Sequence, residues 1–217
     1  MYSMQGIVRK SICNATNQFE KLGYVGNNLA NMNTRGYKSV NFEQMLKEDG
    51  YITGAVRSDY KQGSIQITSN PYDVAISGVG FIPVVSPEGE VAYTRDGSFK
   101  QGKDGYLVTA DDWIVGEGIK IPTNCYKFEI KPNGEVFSYD AADTEPKKLG
   151  TIPLVRFASQ ENLEQAGMNK LVPTEDSGEP ELVKDHECFC QNNLENSNTN
   201  IYSSVSVSYT HLTLPTN

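Results

Sequence analysis

The sequence predicts a mainly β chain, with an N-terminal α-helix followed by an antiparallel domain that is barrel- or sandwich-like. Three observations predict it. Apolar residues from Met1 to Met32 recur at alternating three- and four-residue steps, the spacing of a stripe along one helix. From Tyr51 onward, short apolar runs alternate with Gly, Pro, Asn and Asp turn signals, the rhythm of an all-β module. Nineteen Gly, ten Pro and twelve Tyr favour turns and strands over a helical bundle.

The helical stripe is Met1, Met4, Val8, Ala15, Leu22, Val25, Leu29 and Met32. Ser11 and Gln18 interrupt it, and Ile12 and Phe19 lie beside it. Gly6, Gly23 and Gly26 each lower helix stability by about 1 kcal/mol relative to Ala. In isolation such a helix is marginal, so the stripe needs a partner surface. The pattern alone leaves two choices, the rest of its own domain or a surface outside it. The helix must stop in the polar seam Asn27-Asn28-Leu29-Ala30-Asn31-Met32-Asn33-Thr34-Arg35-Gly36-Tyr37-Lys38. Asn and Thr side chains there compete for backbone groups, and Gly36 permits a reversal closed to other residues.

After Lys38 the stretch Val40-Asn41-Phe42-Glu43-Gln44-Met45-Leu46 is short and ambiguous. Gly63-Ser64-Ile65-Gln66-Ile67-Thr68 alternates as a strand does, and Asn70-Pro71-Tyr72-Asp73 is a turn before the buried run Val74-Ala75-Ile76. Residues 81–85 read as a strand that Pro83 pushes to an edge or a bulge. Pro87-Glu88-Gly89-Glu90, Lys103-Asp104-Gly105 and Pro132-Asn133-Gly134 are hairpin turns. Asp104-Gly105 suits a tight primed turn with positive φ at both positions. Strands are expected at 91–94, 106–109, 113–115, 120–121, 128–130 and 135–138, then one long strand over 149–157. Residues 162–167 form a short turn or helix, and helical periodicity does not return in the Asn-rich run after Gln191.

The net charge is −8, with no basic run, which disfavours nucleic acid and anionic lipid as partners. No apolar stretch approaches the roughly 20 residues a spanning helix needs. No cleavable signal peptide is visible at the N-terminus. Cys13, Cys125, Cys188 and Cys190 are scattered. The Cys188-Phe189-Cys190 pair has only His186 near it, short of a four-ligand zinc set, and reads as two ordinary thiols on a strand.

Catalytic signatures fail on context. Gly78-Val79-Gly80 lacks the third glycine and the following helix of a dinucleotide loop. With two histidines in the chain, a Ser-His-Asp relay has little to draw on. Asp96, Asp104, Asp111 and Asp112 would suit glycoside cleavage or calcium, but each sits beside Gly or at a turn, where Asp serves local hydrogen bonding. Tyr93-Thr94-Arg95-Asp96-Gly97-Ser98-Phe99 alternates between two faces, and reads as hairpin chemistry with a surface Arg.

Taken in order, these pieces resemble the rod and hook proteins of the bacterial flagellar basal body. Asn27, Asn28, Leu29, Ala30 and Asn31, then Thr34, Gly36 and Tyr37, look like the N-terminal signature. Gln62-Gly63-Ser64, Thr68, Asn70-Pro71 and residues 73–76 look like the entry to the β domain. Gly78, Gly80 and Phe81, then Tyr93, Thr94, Arg95, Asp96, Gly97 and Phe99, look like its core strands. Residues 105–109 and 118–122, then Gly167-Met168-Asn169, Ser177-Gly178 and Leu194-Glu195-Asn196-Ser197-Asn198, continue the series to about residue 202. Trp113 stands where the family often has Gly. The family resumes a long helix after the last landmark and this chain does not, so it is expected to be truncated at the C-terminus.

The resemblance implies a structural subunit with no catalytic residue, cofactor, metal or small-molecule substrate. Its expected assembly interface is Met4, Val8, Ala15, Leu22, Val25, Leu29 and Met32. Its expected partners are copies of itself, other flagellar rod and hook proteins, and the flagellar export apparatus. Its expected place is the periplasm-spanning basal body, reached without cleavage. The expected organisation is an axial helix and signature (1–38), an extended connector (39–75), a β domain (76–190), the start of a C-terminal axial segment (191–202) and a tail (203–217). That tail resembles a translated sequencing adapter and is expected to be non-native. The competing class is a secreted β-rich binding module or hydrolase using the surface carboxylates.

Overall fold

A computed structural model describes residues 4–46, 52–140, 145–184 and 186–200. Met1 of the stripe and the 203–217 tail lie outside the described residues. The chain divides into two units. Unit 1 takes Met1–Asn33, Lys38–Lys61 and Asn198–Asn217, and unit 2 takes Thr34–Tyr37 and Gln62–Ser197.

Unit 1 is a helix with a two-stranded ribbon. The helix α1 (Met4–Ala30) follows the apolar period of the sequence. Its last backbone bonds run from Asn31 N–H to Asn27 O (3.1 Å) and from Met32 N–H to Leu29 O (3.3 Å), inside the Asn-rich seam. The ambiguous stretch after Lys38 is a strand, β1 (Val40–Leu46), paired antiparallel with β2 (Ile52–Ser58). Side-chain alternation puts Phe42 on one face of the ribbon with Gly54 and Val56. The Phe42 ring covers Gly54, where a Cβ would collide with it, and stacks on Tyr24 of α1 at 5.7 Å between ring centres. An isolated hairpin is marginal in water, and this aromatic contact is part of what holds the ribbon to the helix.

Among the described residues unit 2 is all β apart from one short 3₁₀ turn, Gln160–Asn162. Its strands are β3 (Ile65–Ile67), β4 (Val74–Ile76), β5 (Ile82–Val85), β6 (Val91–Thr94), β7 (Lys100–Gln101), β8 (Leu107–Val108), β9 (Ile114–Val115), β10 (Cys125–Ile130), β11 (Glu135–Asp140), β12 (Lys147–Thr151), β13 (Val155–Arg156), β14 (Glu164–Gln165), β15 (Lys170–Val172), β16 (Glu181–Leu182), β17 (Phe189–Gln191) and β18 (Asn193–Glu195). Seven of them form one open antiparallel sheet in the order β14-β15-β6-β5-β9-β8-β7. Strands β10, β11 and β12 form a second sheet, while β13-β16, β17-β4 and β18-β3 are two-stranded ribbons. No sheet of the described residues closes into a barrel. The core gathers Val74, Ile76, Ile82, Val84, Leu107, Val115, Val136, Ile152, Leu154 and Phe189, all buried.

Three hairpins share one construction. Gly89 N–H bonds to Ser86 O (3.0 Å), Gly105 N–H to Gly102 O (3.0 Å) and Gly134 N–H to Lys131 O (2.9 Å). Each of these glycines has positive φ, the signature of a three-residue loop ending in a left-handed position. This corrects the primed turn expected at Asp104-Gly105, because only Gly105 (φ 83°) takes the positive region.

Two further expectations are corrected. Pro83 sits inside the seven-stranded sheet, between β6 and β9, rather than at an edge. Its carbonyl accepts Gly116 N–H (3.0 Å) on the β9 side. Its nitrogen faces that same side, where β9 pairs only with Val84 and Val85, so no ladder bond requires the missing N–H. The expected strand over 149–157 is two strands, β12 and β13, separated at Ile152-Pro153-Leu154. Pro153 cannot donate to a continuing ladder.

Candidate assembly interface

Helix α1 leaves its apolar stripe in solvent. Met4 is 83% exposed, Val8 53%, Leu22 46%, Leu29 48% and Met32 37%. Ala15 is also exposed, whereas Val25 is half-buried. Ile12 (62%) and Phe19 (74%) are among the most exposed apolar side chains of the helix. By sequence period they lie beside the stripe, yet the steps 8, 12, 15, 19, 22 run along one helical face.

The end of α1 is fixed by the signature asparagines. The buried Asn28 side chain donates from Nδ2 to Val40 O (2.8 Å) and accepts Val40 N–H at Oδ1 (2.9 Å). One carboxamide thus satisfies both backbone groups of the first β1 residue. Asn31 Nδ2 donates back to Asn27, to the carbonyl and the side-chain oxygen at 2.9 Å each. Lys38, also buried, donates to Lys61 O (2.7 Å). Asn198 joins the same unit, accepting Ser39 N–H (2.7 Å) and donating to Asp59 O (2.6 Å).

In unit 2 the β-domain signature residues surround one buried ion pair. Arg95 and Glu195 are 4% and 1% exposed. Arg95 donates from Nε and Nη2 to Glu195 Oε2 at 2.8 Å each. Its other donors take the carbonyls of Gly80 (2.8 Å) and Gly78 (2.9 Å). This corrects the surface Arg expected from the sequence. The remaining carboxylate oxygen accepts Gly63 N–H (2.8 Å), and Glu195 O accepts Gly36 N–H (2.9 Å). Gly36 has φ +66°, and a Cβ there would sit 2.7 Å from the Arg95 carbonyl carbon and the Asp96 nitrogen. Gly80 (φ +146°) lies as close against Leu154. Arg35 reaches Gln66 and Asn196, and Asn169 Nδ2 donates to Arg35 O (2.7 Å). Tyr37 and Phe99 are buried, and burial raises the Tyr37 phenol above its ordinary value. Phe157 takes the edges of Phe81 and Tyr93, at 6.0 Å and 4.8 Å between ring centres.

Of the four aspartates weighed for catalysis, Asp96 and Asp111 line one hollow of about 230 Å³ with Lys170. Asp96 accepts Ser98 N–H (2.9 Å), closing a local turn. Asp111 pairs with Lys170, whose ammonium lies over the Trp113 ring at 4.5 Å. Burial works to raise the Asp111 carboxyl, but hydrogen bonds from Lys170 and Thr109 outweigh it and hold the group below the usual carboxylate range. Asp112 pairs with Lys100 on the surface. Asp104 lines a different, open hollow of about 660 Å³ with Lys103 and Lys120. Among the described residues no three His, Cys, Asp or Glu side chains converge on a metal position. Cys190 lies on β17 opposite Ala75 of β4, and the Cys188 carbonyl accepts Ser77 N–H (2.7 Å). Both thiols are half-buried and free.

Residues 75–138 match the family model of the flagellar hook protein FlgE/F/G D1 domain. The flagellar basal-body rod protein FlgG of Caulobacter vibrioides is 33% identical over 184 residues, covering 73% of this chain and 70% of that protein. This chain belongs to the flagellar basal-body rod protein family. The FlgG of Agrobacterium fabrum is 31% identical over 188 residues, covering 75% of this chain and 72% of that protein. The flagellar hook protein FlgE of Rhizobium meliloti is 35% identical over 123 residues, about half of this chain and 30% of that longer protein. As a rod-family chain it is a structural subunit of the flagellar basal body. The match over 75–138 spans the core strands and Arg95, but stops short of Glu195.

Sequence reasoning missed Glu195 as a partner for Arg95. The available signal was a lone Arg inside an otherwise well-patterned strand region, which requires a counter-ion if buried. Ile12 and Phe19 were legible from period alone, had the stripe been drawn one position wider.

Proposed function

We propose that this rod-family chain polymerises with copies of itself through the exposed α1 face, stacking helically with other rod and hook proteins. The polymer is a drive shaft and encloses a channel. In this reading the subunit travels unfolded through the flagellar export apparatus without cleavage, and assembles across the periplasm. The observation that carries the reading is the row of solvent-exposed apolar side chains on α1: Val8, Ile12, Phe19, Leu22 and Leu29. Alone, a helix with internal glycines does not offset its ordering entropy. Packed against a neighbour, each side chain gains at about 25 cal/mol per Å² of apolar area removed from water. Folding of the helix is thereby coupled to assembly, which keeps free subunits from polymerising early.

Leu22→Asp and Leu29→Asp test this. Each places a charge in the proposed seam, and each is expected to abolish incorporation into the rod in a motility complementation assay. Unit 2, followed by Trp113 fluorescence, stays folded. Normal motility with either variant would contradict the proposal.

A further inference from the structure

We propose that Glu195 is a closing latch for unit 2. The core sheet forms first, and the segments at Gly36, Gly63 and β3 stay open until the chain around Glu195 arrives. The strand topology separates the two groups. The seven-stranded sheet is built wholly from strands between β5 and β15. By contrast the exposed β3 pairs with β18 as a separate two-stranded ribbon. This ribbon therefore needs chain from Asn193 onward.

The polar contacts make the same division. Glu195 reaches Arg95 across 100 residues and Gly63 across 132. Closing such long loops is entropically unfavourable until many other contacts are in place, so contacts of this kind form late. Arg95 supplies the requirement for closure. Its guanidinium is buried against the carbonyls of Gly78 and Gly80. A buried cation without its counter-ion is strongly disfavoured, so this wall does not seal while Glu195 is absent. Once Glu195 enters, its carboxylate fixes Arg95 and Gly63 and its carbonyl fixes Gly36, joining three distant stretches of unit 2 in one step.

The consequence is directional. On any chain delivered from its N-terminus, by a ribosome or through a narrow channel, the latch residue emerges after every strand of the core sheet. Unit 2 is then completed only when the segment following β17 is free. This ordering is a property of the chain and does not depend on the export reading above.

Two measurements on the full chain test it. In pulse-labelling hydrogen exchange during refolding, the amides of Val84 and Val115 gain protection first. Those of Gly36, Gly63 and β3 lag by about tenfold in time or more. Simultaneous protection of both groups would overturn the latch. In native-state exchange, Glu195→Gln accelerates Gly36, Gly63 and β3 by about tenfold or more, while Val84, Val115 and Trp113 fluorescence stay native. No acceleration at Gly36 and Gly63 would overturn the proposal. So would equal loss at Val84 and Val115, or failure of the variant to fold, since the core sheet would then depend on Glu195.

Discussion

The Asn28 side chain occupies the place of a neighbouring strand for Val40, accepting its N–H at 2.9 Å and donating to its carbonyl at 2.8 Å. The helix therefore ends where the ribbon begins, and one carboxamide fixes both. Asn28→Asp keeps the shape but replaces the donor with an oxygen and buries a negative charge. The expected loss is about 1–3 kcal/mol in unit 1, the cost of an unsatisfied buried polar group. Faster exchange of the Val40 amide in assembled subunits, with unit 2 protection unchanged, is the measurement that checks it.

Gly36 makes a sharper prediction in unit 2. Its φ of +66° strains any L side chain, and a Cβ would press on backbone atoms at 2.7 Å. Backbone cannot step aside as a flexible side chain can. Gly36→Ala is expected to cost about 2 kcal/mol or more, beyond the usual 1 kcal/mol of a left-handed Ala. A lowered urea midpoint followed through Trp113 would show it, and an unchanged midpoint would refute it.

How much of this was legible in the sequence depends on where each residue's partners lie. The helix, its stripe and the three glycine-closed hairpins were legible because their signals are local: a 3.6-residue period and an x-x-Gly loop. Strand β18 was not, nor was the partner of β17, whose Cys188-Phe189-Cys190 stretch does read as a strand. Their half-buried positions include the polar Gln191 and Asn193, which break the apolar alternation, and their ladder partners are over a hundred residues away in β4 and β3. Arg95 read as a surface residue because charge in a strand is normally solvated. Only a carboxylate from the far end of the chain makes its burial possible. Pro83 misled for a related reason. The rule against central prolines concerns the missing donor, and the shortness of β9 removes the need for that donor. The Asn-rich signature was visible as a helix stop, but its pairing with Val40 requires knowing that β1 exists.

Two groups of unit 2 give it an acid-sensitive stability with separable windows. Burial lowers the His186 imidazole below its ordinary value. The folded state then favours the neutral ring, so this contribution is complete above about pH 6.5 and is lost as pH falls through the lowered value. Asp111 is held below the carboxylate range despite its burial, by Lys170 and Thr109. Its contribution is complete above about pH 4 and is lost only as pH falls through that lower value. Urea midpoints measured from pH 8 to 3 should fall in two stages. His186→Gln should flatten the first, and Asp111→Asn the second. Because Lys170 lies over Trp113, the second variant should also shift tryptophan emission at neutral pH.

The glycines of α1 test coupled folding without touching the stripe. A Cβ added at Gly23 or Gly26 would meet nothing within 4 Å. Each Gly→Ala change should therefore stabilise the helix by about 1 kcal/mol with no new contact inside the subunit. If weak intrinsic helicity restrains free subunits, then removing the restraint should release association. In Gly23→Ala/Gly26→Ala, far-ultraviolet circular dichroism of the dilute monomer should show more helix. Sedimentation should show self-association at concentrations where the parent chain stays monomeric, and Leu22→Asp in the same background should suppress it. More helix without more association would separate the two, and would mean that the exposed apolar face, not its order, limits assembly. The parent chain's α1 amides carry the complementary expectation: in dilute monomer they exchange fast, and they become protected only when neighbouring subunits cover Leu22 and Leu29.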